Sequence, residues 1–360
     1  MRLVQSSKSK SNYTHSVVSL TSLGKVGELL QSQGVEVMVL GMSSIINIPI
    51  VFWRLVCIIR SKKPDIIQTW MYHADLLGGL AAFMSGNRPV IWGIRTTDVK
   101  AGGSRLTSIV RRICALLSTK VPHTIICAAD ASRKAHILVG YDQSRMVVVP
   151  NGFDLSQLNS TDAQRNALRS HCGFTDSHVV VGFVGRFHPE KDQRSFIKAA
   201  GLLATQYPHV RFVMIGRDLN RNNAQLSEWI NDAGCRDLIV LMGERGDVPV
   251  CLSAMDLFCL SSRTEGFPNA LGEAMAMGLP CVTTDVGDAA MLIQATGVIV
   301  RKEDSHALAV GLGKLLDISQ FERKQLGAKA KKRIYEEFSM DLALAKFENI
   351  YDQILRRDKF

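Results

Sequence analysis

The chain has 360 residues, 43 Lys and Arg against 33 Asp and Glu, and a formal charge of +10. At 46% hydrophobic and 21% charged it is composed like an ordinary globular protein, and its length exceeds what one core usually serves, so two domains are expected. The scattered Cys57, Cys114, Cys127, Cys172, Cys235, Cys251, Cys259 and Cys281 form no C-x-x-C pair, which argues against a zinc site and for buried thiols in a reducing cytoplasm.

In chain order, strand-like and helix-like segments alternate, the pattern of an α/β fold. Thr14–Leu20 reads as a strand, Gly24–Gln33 as a helix, Val35–Leu40 as a strand and Pro49–Ser61 as a helix. Strand Asp65–Trp70, helix Asp75–Met84, strand Pro89–Arg95 and helix Arg105–Ser118 follow. Strand Thr124–Ala128, helix Ala131–Val139 and strand Met146–Val149 lead into Pro150-Asn-Gly-Phe-Asp154, whose turn residues mark a domain hinge. Basic residues gather in this half, among them Arg54, Arg60, Lys62, Lys63, Arg105, Arg111, Arg112 and Lys120. Nucleic acid is not the expected partner, since no zinc-finger pattern, RNA-binding signature or aromatic–basic strip accompanies them. The segment Ile50–Lys63 fits an anionic membrane surface, with Phe52 or Trp53 at the headgroups, as well as it fits a core-facing helix. No stretch is long enough to span a bilayer: Ile45 to Ile59 is broken by Asn47, Pro49 and Arg54. Residues Met1–Lys10 have no apolar core for a secretion signal.

After a polar connection the second half begins with strand Val179–Val184, the turn Gly185-Arg-Phe-His-Pro-Glu-Lys191 and helix Asp192–Thr205. Strand Val210–Ile215 ends in Gly216-Arg217, helix Asn223–Ala233 follows, and strand Leu238–Met242 opens into Gly243-Glu-Arg-Gly-Asp247. A short helix precedes the apolar run Asp256–Ser262, the turn holding Glu265, and a helix stopped by Gly278 and Pro280. Strands Pro280–Thr284 and Val298–Val300 and helices Ser305–Leu316, Gln320–Glu337 and Leu342–Arg356 complete the chain. Two doubly wound parallel sheets of this kind would open their ligand crevices at the carboxyl ends of the strands, facing each other across a cleft.

The chemistry concentrates in Glu265-Gly-Phe-Pro-Asn-Ala-Leu-Gly-Glu273. Glu265 falls in the turn and Glu273 about two turns into the helix, with unpaired helix-start amides between them that can face an anion. One carboxylate for sugar hydroxyls, one for a ribose, and amides for phosphate is the equipment for a nucleotide sugar. Gly185 lets the chain turn after its strand, and Arg186 and Lys191 bring two cations to the same sheet edge. Cleaving a sugar–phosphate bond develops negative charge on the phosphate oxygen, which preorganised cations stabilise. Read singly, each is a surface charge or a helix-dipole partner; together they favour the functional reading.

Val184-Gly-Arg-Phe-His-Pro-Glu-Lys191, Val149-Pro-Asn-Gly-Phe-Asp154 and Ser262-Arg-Thr-Glu-Gly-Phe-Pro-Asn-Ala-Leu-Gly-Glu-Ala-Met-Ala-Met-Gly-Leu-Pro280 resemble the retaining family 4 (group 1) glycosyltransferases of the GT-B fold, two Rossmann-like domains facing a cleft. Thr284–Ala289 and Gln68–Asp75 also fit. The resemblance implies an acceptor-side domain over 1–152, a nucleotide-sugar domain over 153–338, and a C-terminal helix over 339–360 that returns to the first domain. It implies that Arg186 and Lys191 hold the donor diphosphate, Glu273 the ribose and Glu265 the transferred sugar. Backbone groups of Gly266, Phe267, Pro268 and Asn269 would support sugar and phosphate, with Gly216, Arg217, Glu244 and Arg245 near the nucleobase. His73, Arg95 and Asp98 are the acceptor-side candidates. The implied reaction moves a hexose to a glycan or lipid-linked acceptor in cell-surface polysaccharide synthesis. It retains configuration and uses no metal or other cofactor. The expected location is the cytoplasm, at the inner face of its membrane.

Two departures stand out. Family members often place a histidine in the loop occupied here by Arg95-Thr96-Thr97. They also open with a buried strand, a Gly-Gly loop and a helix before the strand matched by Thr14–Leu20, where this chain has only the Ser/Lys-rich Met1–Asn12. The expectation is a truncated start, or a short strand improvised from Met1–Gln5. The alternative function is then a catalytically impaired, nucleotide-sugar-binding remnant. A dinucleotide oxidoreductase lacks its G-x-G-x-x-G after any strand, and no residue argues specifically for an epimerase of the same fold.

Overall fold

A computed structural model describes residues 2–86, 88–97 and 105–357. The chain divides into two compact units, Met1–Gly152 with Met340–Phe360, and Phe153–Ser339.

In the first unit the strands are β1 (Ser16–Ser19), β2 (Glu36–Val39), β3 (Ile67–Gln68), β4 (Val90–Ile94), β5 (Thr124–Cys127) and β6 (Met146–Val148). They form two parallel ladders, β1-β2 and β3-β4-β5-β6. Strand β4, Val-Ile-Trp-Gly-Ile, is buried throughout, as a parallel strand covered on both faces must be. Side chains alternate between its faces. Trp92 and Ile94 pack with Ile125, Tyr72, Val110 and Cys114, while Ile91 packs with Ile126, Phe347, Tyr351 and Ile354. The terminal helix Met340–Arg357 thus covers the second face.

The chain start is neither a strand nor unstructured. Arg2–Lys10 is a helix that packs against Met340–Arg357. Apart from Val4, its residues have little preference for a pleated strand. Its helical spacing turns Leu3 toward Tyr13, Phe347 and Tyr351 and buries Ser7, whose hydroxyl bonds His15 at 2.8 Å. Lys10 pairs with Asp341 at 2.5 Å.

In the second unit β7 (Val179–Val184), β8 (Val210–Ile215), β9 (Ile239–Leu241), β10 (Leu257–Leu260), β11 (Cys281–Thr284) and β12 (Gly297–Val300) make one parallel sheet in the order β12-β11-β10-β7-β8-β9. The chain winds outward from β7 through β9 and then returns to the other side of β7 with β10. The order therefore reverses between β7 and β10, which is where open α/β sheets bind ligands beyond the strand ends. Phe183, Phe196, Phe212, Met214, Leu257 and Leu312 sit in the core beneath.

Two helices of this unit escaped the sequence reading. The expected polar connection contains the helix Asp162–His171, opened by a capping box in which Thr161 and Gln164 each satisfy the other's backbone. Only Leu168 and Arg169 of it are buried, so its apolar face is too narrow to register as a period. The five-residue helix Ala289–Ile293 is too short to show one. Six of the eight cysteines are buried, in line with the expected buried thiols, while Cys172 is half-buried and Cys57 exposed.

Candidate active site

The loops that leave β7 and β10 are neighbours because their strands are, and they bind each other tightly. Lys191 Nζ lies 2.5 Å from Glu265 Oε1, with side chains only 21% and 11% exposed. The Ser262 hydroxyl donates to the same carboxylate oxygen at 2.7 Å, fixing its direction. Ser261, fully buried at the end of β10, donates its hydroxyl to the carbonyls of Lys191 and Asp192 at 2.9 and 3.1 Å. The Arg263 amide donates to the Glu190 carbonyl at 2.7 Å, and its guanidinium reaches the buried Asp192 carboxylate at 3.2 Å. Asp192 in turn caps the helix Gln193–Ala204 from a left-handed backbone, φ 47°. Arg186 sits on the same loop, more exposed, paired with Glu190 at 3.4 Å. A cation and a carboxylate 74 residues apart are thereby preset at the switch point.

Glu273 lies half-buried in the helix Asn269–Ala276, one step beyond the Glu265 loop. Phe267 and Pro268 turn their side chains inward. Phe267 packs between Phe153 and Phe338, ring centroids 6.0 and 5.9 Å away, and Phe153 fills the space where Gly272 has no side chain. Their side chains are therefore support rather than ligand contacts. Pro268 also has no N–H, which leaves Gly266, Phe267 and Asn269 as the amide donors of this turn. Gly287 lies against the turn from the next loop. Its φ is +54°, and a side chain there would come 2.4 Å from the Gly266 carbonyl oxygen.

At the ends of β8 and β9, Gly216 donates its N–H to the Gly243 carbonyl at 2.8 Å. Gly216 approaches the Gly185 backbone so closely that a side chain would overlap it. Arg217 and Glu244, both exposed, pair at 3.5 Å. Arg245 turns back on Asp247 at 2.5 Å, which raises the guanidinium pKa and lowers that of the carboxylate.

In the first unit the candidates are differently placed. His73 is half-buried at the second position of the helix Tyr72–Met84. Arg95 stacks over Trp70, 4.2 Å from the ring centroid, and donates to the Asn151 side chain; burial lowers its pKa to about 10. Asp98 lies outside the described residues. Thr96 joins a hydrogen-bond chain that the sequence reading missed. The Ser132 carbonyl can only accept, so His136 Nδ1 donates to it at 2.7 Å. Nε2 then accepts from the Tyr72 hydroxyl at 2.8 Å, and the Thr96 hydroxyl donates to Tyr72 at 2.8 Å. Burial lowers the His136 pKa to about 4, consistent with a neutral ring. Asp75, fully buried against the Thr69 hydroxyl at 2.5 Å, is pushed up to about 8 by desolvation.

Comparison with known proteins gives this geometry a family. The profile of "Glycosyl transferases group 1" matches residues 178–317, and that of "Glycosyltransferase Family 4" matches residues 10–157. The chain belongs to the group 1 glycosyltransferases. Among relatives of this family, the Escherichia coli UDP-Gal:alpha-D-GlcNAc-diphosphoundecaprenol alpha-1,3-galactosyltransferase is 25% identical, over 72% of this chain and 68% of its own. The Staphylococcus aureus capsular polysaccharide biosynthesis glycosyltransferase CapM is 24% identical over 85% and 81%. In fold, the glycosyltransferase chain resembles Anabaena HepE in complex with UDP, with TM-score 0.85, 21% identity, and coverage of 98% and 95%. Sucrose-phosphate synthase from Thermosynechococcus elongatus superposes with TM-score 0.75 at 16% identity, over 95% of this chain and all of that one.

Within this glycosyltransferase, Ser261, Ser262 and Gly287 are the supporting residues that sequence reasoning passed over. The serines end an apolar strand at its carboxyl edge, a position where a hydroxyl meets neighbouring loops rather than core. That location was the available signal. Tyr72 and His136 gave none, since they are 64 residues apart and meet only in space.

Proposed function

We propose that this glycosyltransferase moves a hexose from a nucleoside-diphosphate sugar to a glycan or lipid-linked acceptor of a cell-surface polysaccharide, with retention and without a metal ion. The observation that carries the reading is the Lys191–Glu265 pair held across the switch point. A diphosphate entering beside Arg186 offers Lys191 a more highly charged partner. Release of Lys191 leaves the Glu265 carboxylate, still oriented by Ser262, to accept hydrogen bonds from the sugar. Glu273 holds the ribose, and the loops at Gly216-Arg217 and Glu244-Arg245 receive the base. As the bond from the anomeric carbon to the phosphate oxygen breaks, the carbon bonds the acceptor oxygen on the same face. The acceptor proton passes to the departing phosphate, so no protein nucleophile is needed. Arg186 and Lys191 neutralise the charge that develops there. His73 and the Arg95–Thr97 loop face the acceptor in this reading. The relatives' named roles in diphosphoundecaprenol and capsular pathways support the choice of acceptor.

The test is a thermal-shift screen of nucleoside diphosphates, followed by transfer assays with the corresponding sugars. Stabilisation by one diphosphate with turnover of its sugar is expected. Binding without any turnover would restore the reading of an impaired nucleotide-sugar-binding protein, and no binding would overturn both.

The lipid-linked acceptor bears on the first unit's surface. No helix among the described residues is long and apolar enough to cross a membrane. The helix Ile48–Lys62 instead exposes Ile50 and Trp53 beside Arg54 and Arg60, while Phe52 packs inward. The helix Arg105–Leu117 exposes Leu106, Ile109, Ile113 and Leu116 along one stripe. Apolar side chains beside cations suit peripheral contact with the anionic inner face of the cytoplasmic membrane. Co-sedimentation with phosphatidylglycerol vesicles, weakened in Trp53→Ser, is expected; equal binding to neutral vesicles would defeat the idea.

A further inference from the structure

The second unit contains a cavity of about 940 Å³ at the amino ends of its strands, and no candidate donor residue lines it. Its wall includes Val179, Asp256 and Pro280, at or just before the starts of β7, β10 and β11, so it lies at the sheet edge opposite the Lys191–Glu265 pair. The helices Asp162–His171 and Gln320–Glu337 flank it. Its volume is that of a small-molecule site rather than a packing defect.

The lining is unevenly charged. Arg165, Arg169, Arg323, Lys324 and Lys331 face three carboxylates, Asp162, Asp176 and Asp256. With His178 neutral, five cations less three anions leaves +2. Asp256 is already engaged by Arg169 at 3.0 Å and Arg165 at 3.6 Å, and its carboxylate also accepts the Val180 amide at 2.8 Å. Arg169 is built into the wall, its residue only 3% exposed. Its terminal nitrogens donate to the carbonyls of Ala254, Thr175 and His178 at 2.8–2.9 Å, yet its buried Nε has no partner. That nitrogen is sealed inside the wall, so Arg169 acts on the cavity through its charge rather than through an Nε contact. Lys324 and Lys331 are exposed at the rim, and the stem of Lys331 passes over Gly278.

We propose that this cavity is a second anion site, for a dianionic, phosphate-bearing small molecule, separate from the donor site. The rim lysines draw the phosphoryl group in, and the +2 excess matches its charge. Met277 to Pro280, where the helix carrying Glu273 stops, form part of the wall, so a ligand here touches the far end of that helix.

The experiment is calorimetric titration of the full chain with pyrophosphate, with the donor site saturated by whichever nucleoside diphosphate binds it. A second binding event is expected. It should weaken about tenfold in Lys324→Ala/Lys331→Ala, as loss of charged hydrogen bonds predicts. Nucleoside-diphosphate affinity should stay unchanged, and Lys191→Ala should leave the second event intact. Absence of a second event, or one that survives the double substitution unaltered, overturns the proposal. So does a pyrophosphate signal lost in Lys191→Ala alone, which would assign it to the donor site.

Discussion

The two units treat their candidate residues in opposite ways. In Phe153–Ser339 one sheet reverses its winding between β7 and β10, so two loops distant in sequence emerge side by side with polar side chains still aimed at each other. In Met1–Gly152 with Met340–Phe360 the described strands form two separate ladders, and the polar groups are spent on structure. Arg95 lies on Trp70, Thr96 is held by Tyr72, and Asp75 is buried under Thr69. A site is thus legible where the fold gathers charges and leaves them exchangeable. It is obscure where the same residue types are consumed by packing.

The contrast is broken most sharply at Lys191. Lys191→Ala is expected to lower kcat/KM by about 10²–10³-fold, the usual loss of a preorganised charge at a reacting centre, with the circular dichroism spectrum retained; near-normal turnover would remove Lys191 from the chemistry. Next in size is Gly287→Ala, which forces a side chain into left-handed backbone against the Glu265–Gly266 loop. It should cost about 1–2 kcal/mol of stability in denaturant titration and raise the donor KM. An unchanged KM would show that this loop does not shape the donor site.

The smallest effect tests the first unit's buried polar groups through pH. Asp75 titrates near 8 when folded and at 3.8 as a free side chain, so between these values the folded chain holds the extra proton. Its contribution to stability is complete below the lower value, declines as pH rises, and is gone above about 8. His136 runs the other way: depressed from 6.5 to about 4, it favours folding above the higher value and loses that contribution as pH falls through the lower. Asp75→Asn should flatten the decline in the denaturant midpoint between about pH 6.5 and pH 8, where the opposing His136 contribution no longer changes, and leave the slope above pH 8 as it was. A decline that persists in the variant would mean another group carries it.

Much of the fold was legible because burial writes itself into apolar period. Val179–Val184, Val210–Ile215 and Gln320–Glu337 appear with the boundaries that pattern and breakers set. Where the pattern is thin the reading failed. Arg2–Lys10 offers little apolar content, and Asp162–His171 buries two side chains on an otherwise polar helix that its capping box could have announced. The helix Tyr72–Met84 begins three residues before the expected Asp75, because Tyr72 is drawn in by Trp92 and Cys114 rather than by any local cap.

The sequence by itself determined the alternation of strands and helices and the residue types at their carboxyl edges, because both follow from local period and turn chemistry. Tertiary structure alone decided that Lys191 meets Glu265 across 74 residues, that Ser262 aims the carboxylate, and that Phe153 props the turn from below. Those contacts depend on which strands lie adjacent in the sheet. Adjacency is a property of the whole packed core, and no stretch of chain encodes it locally.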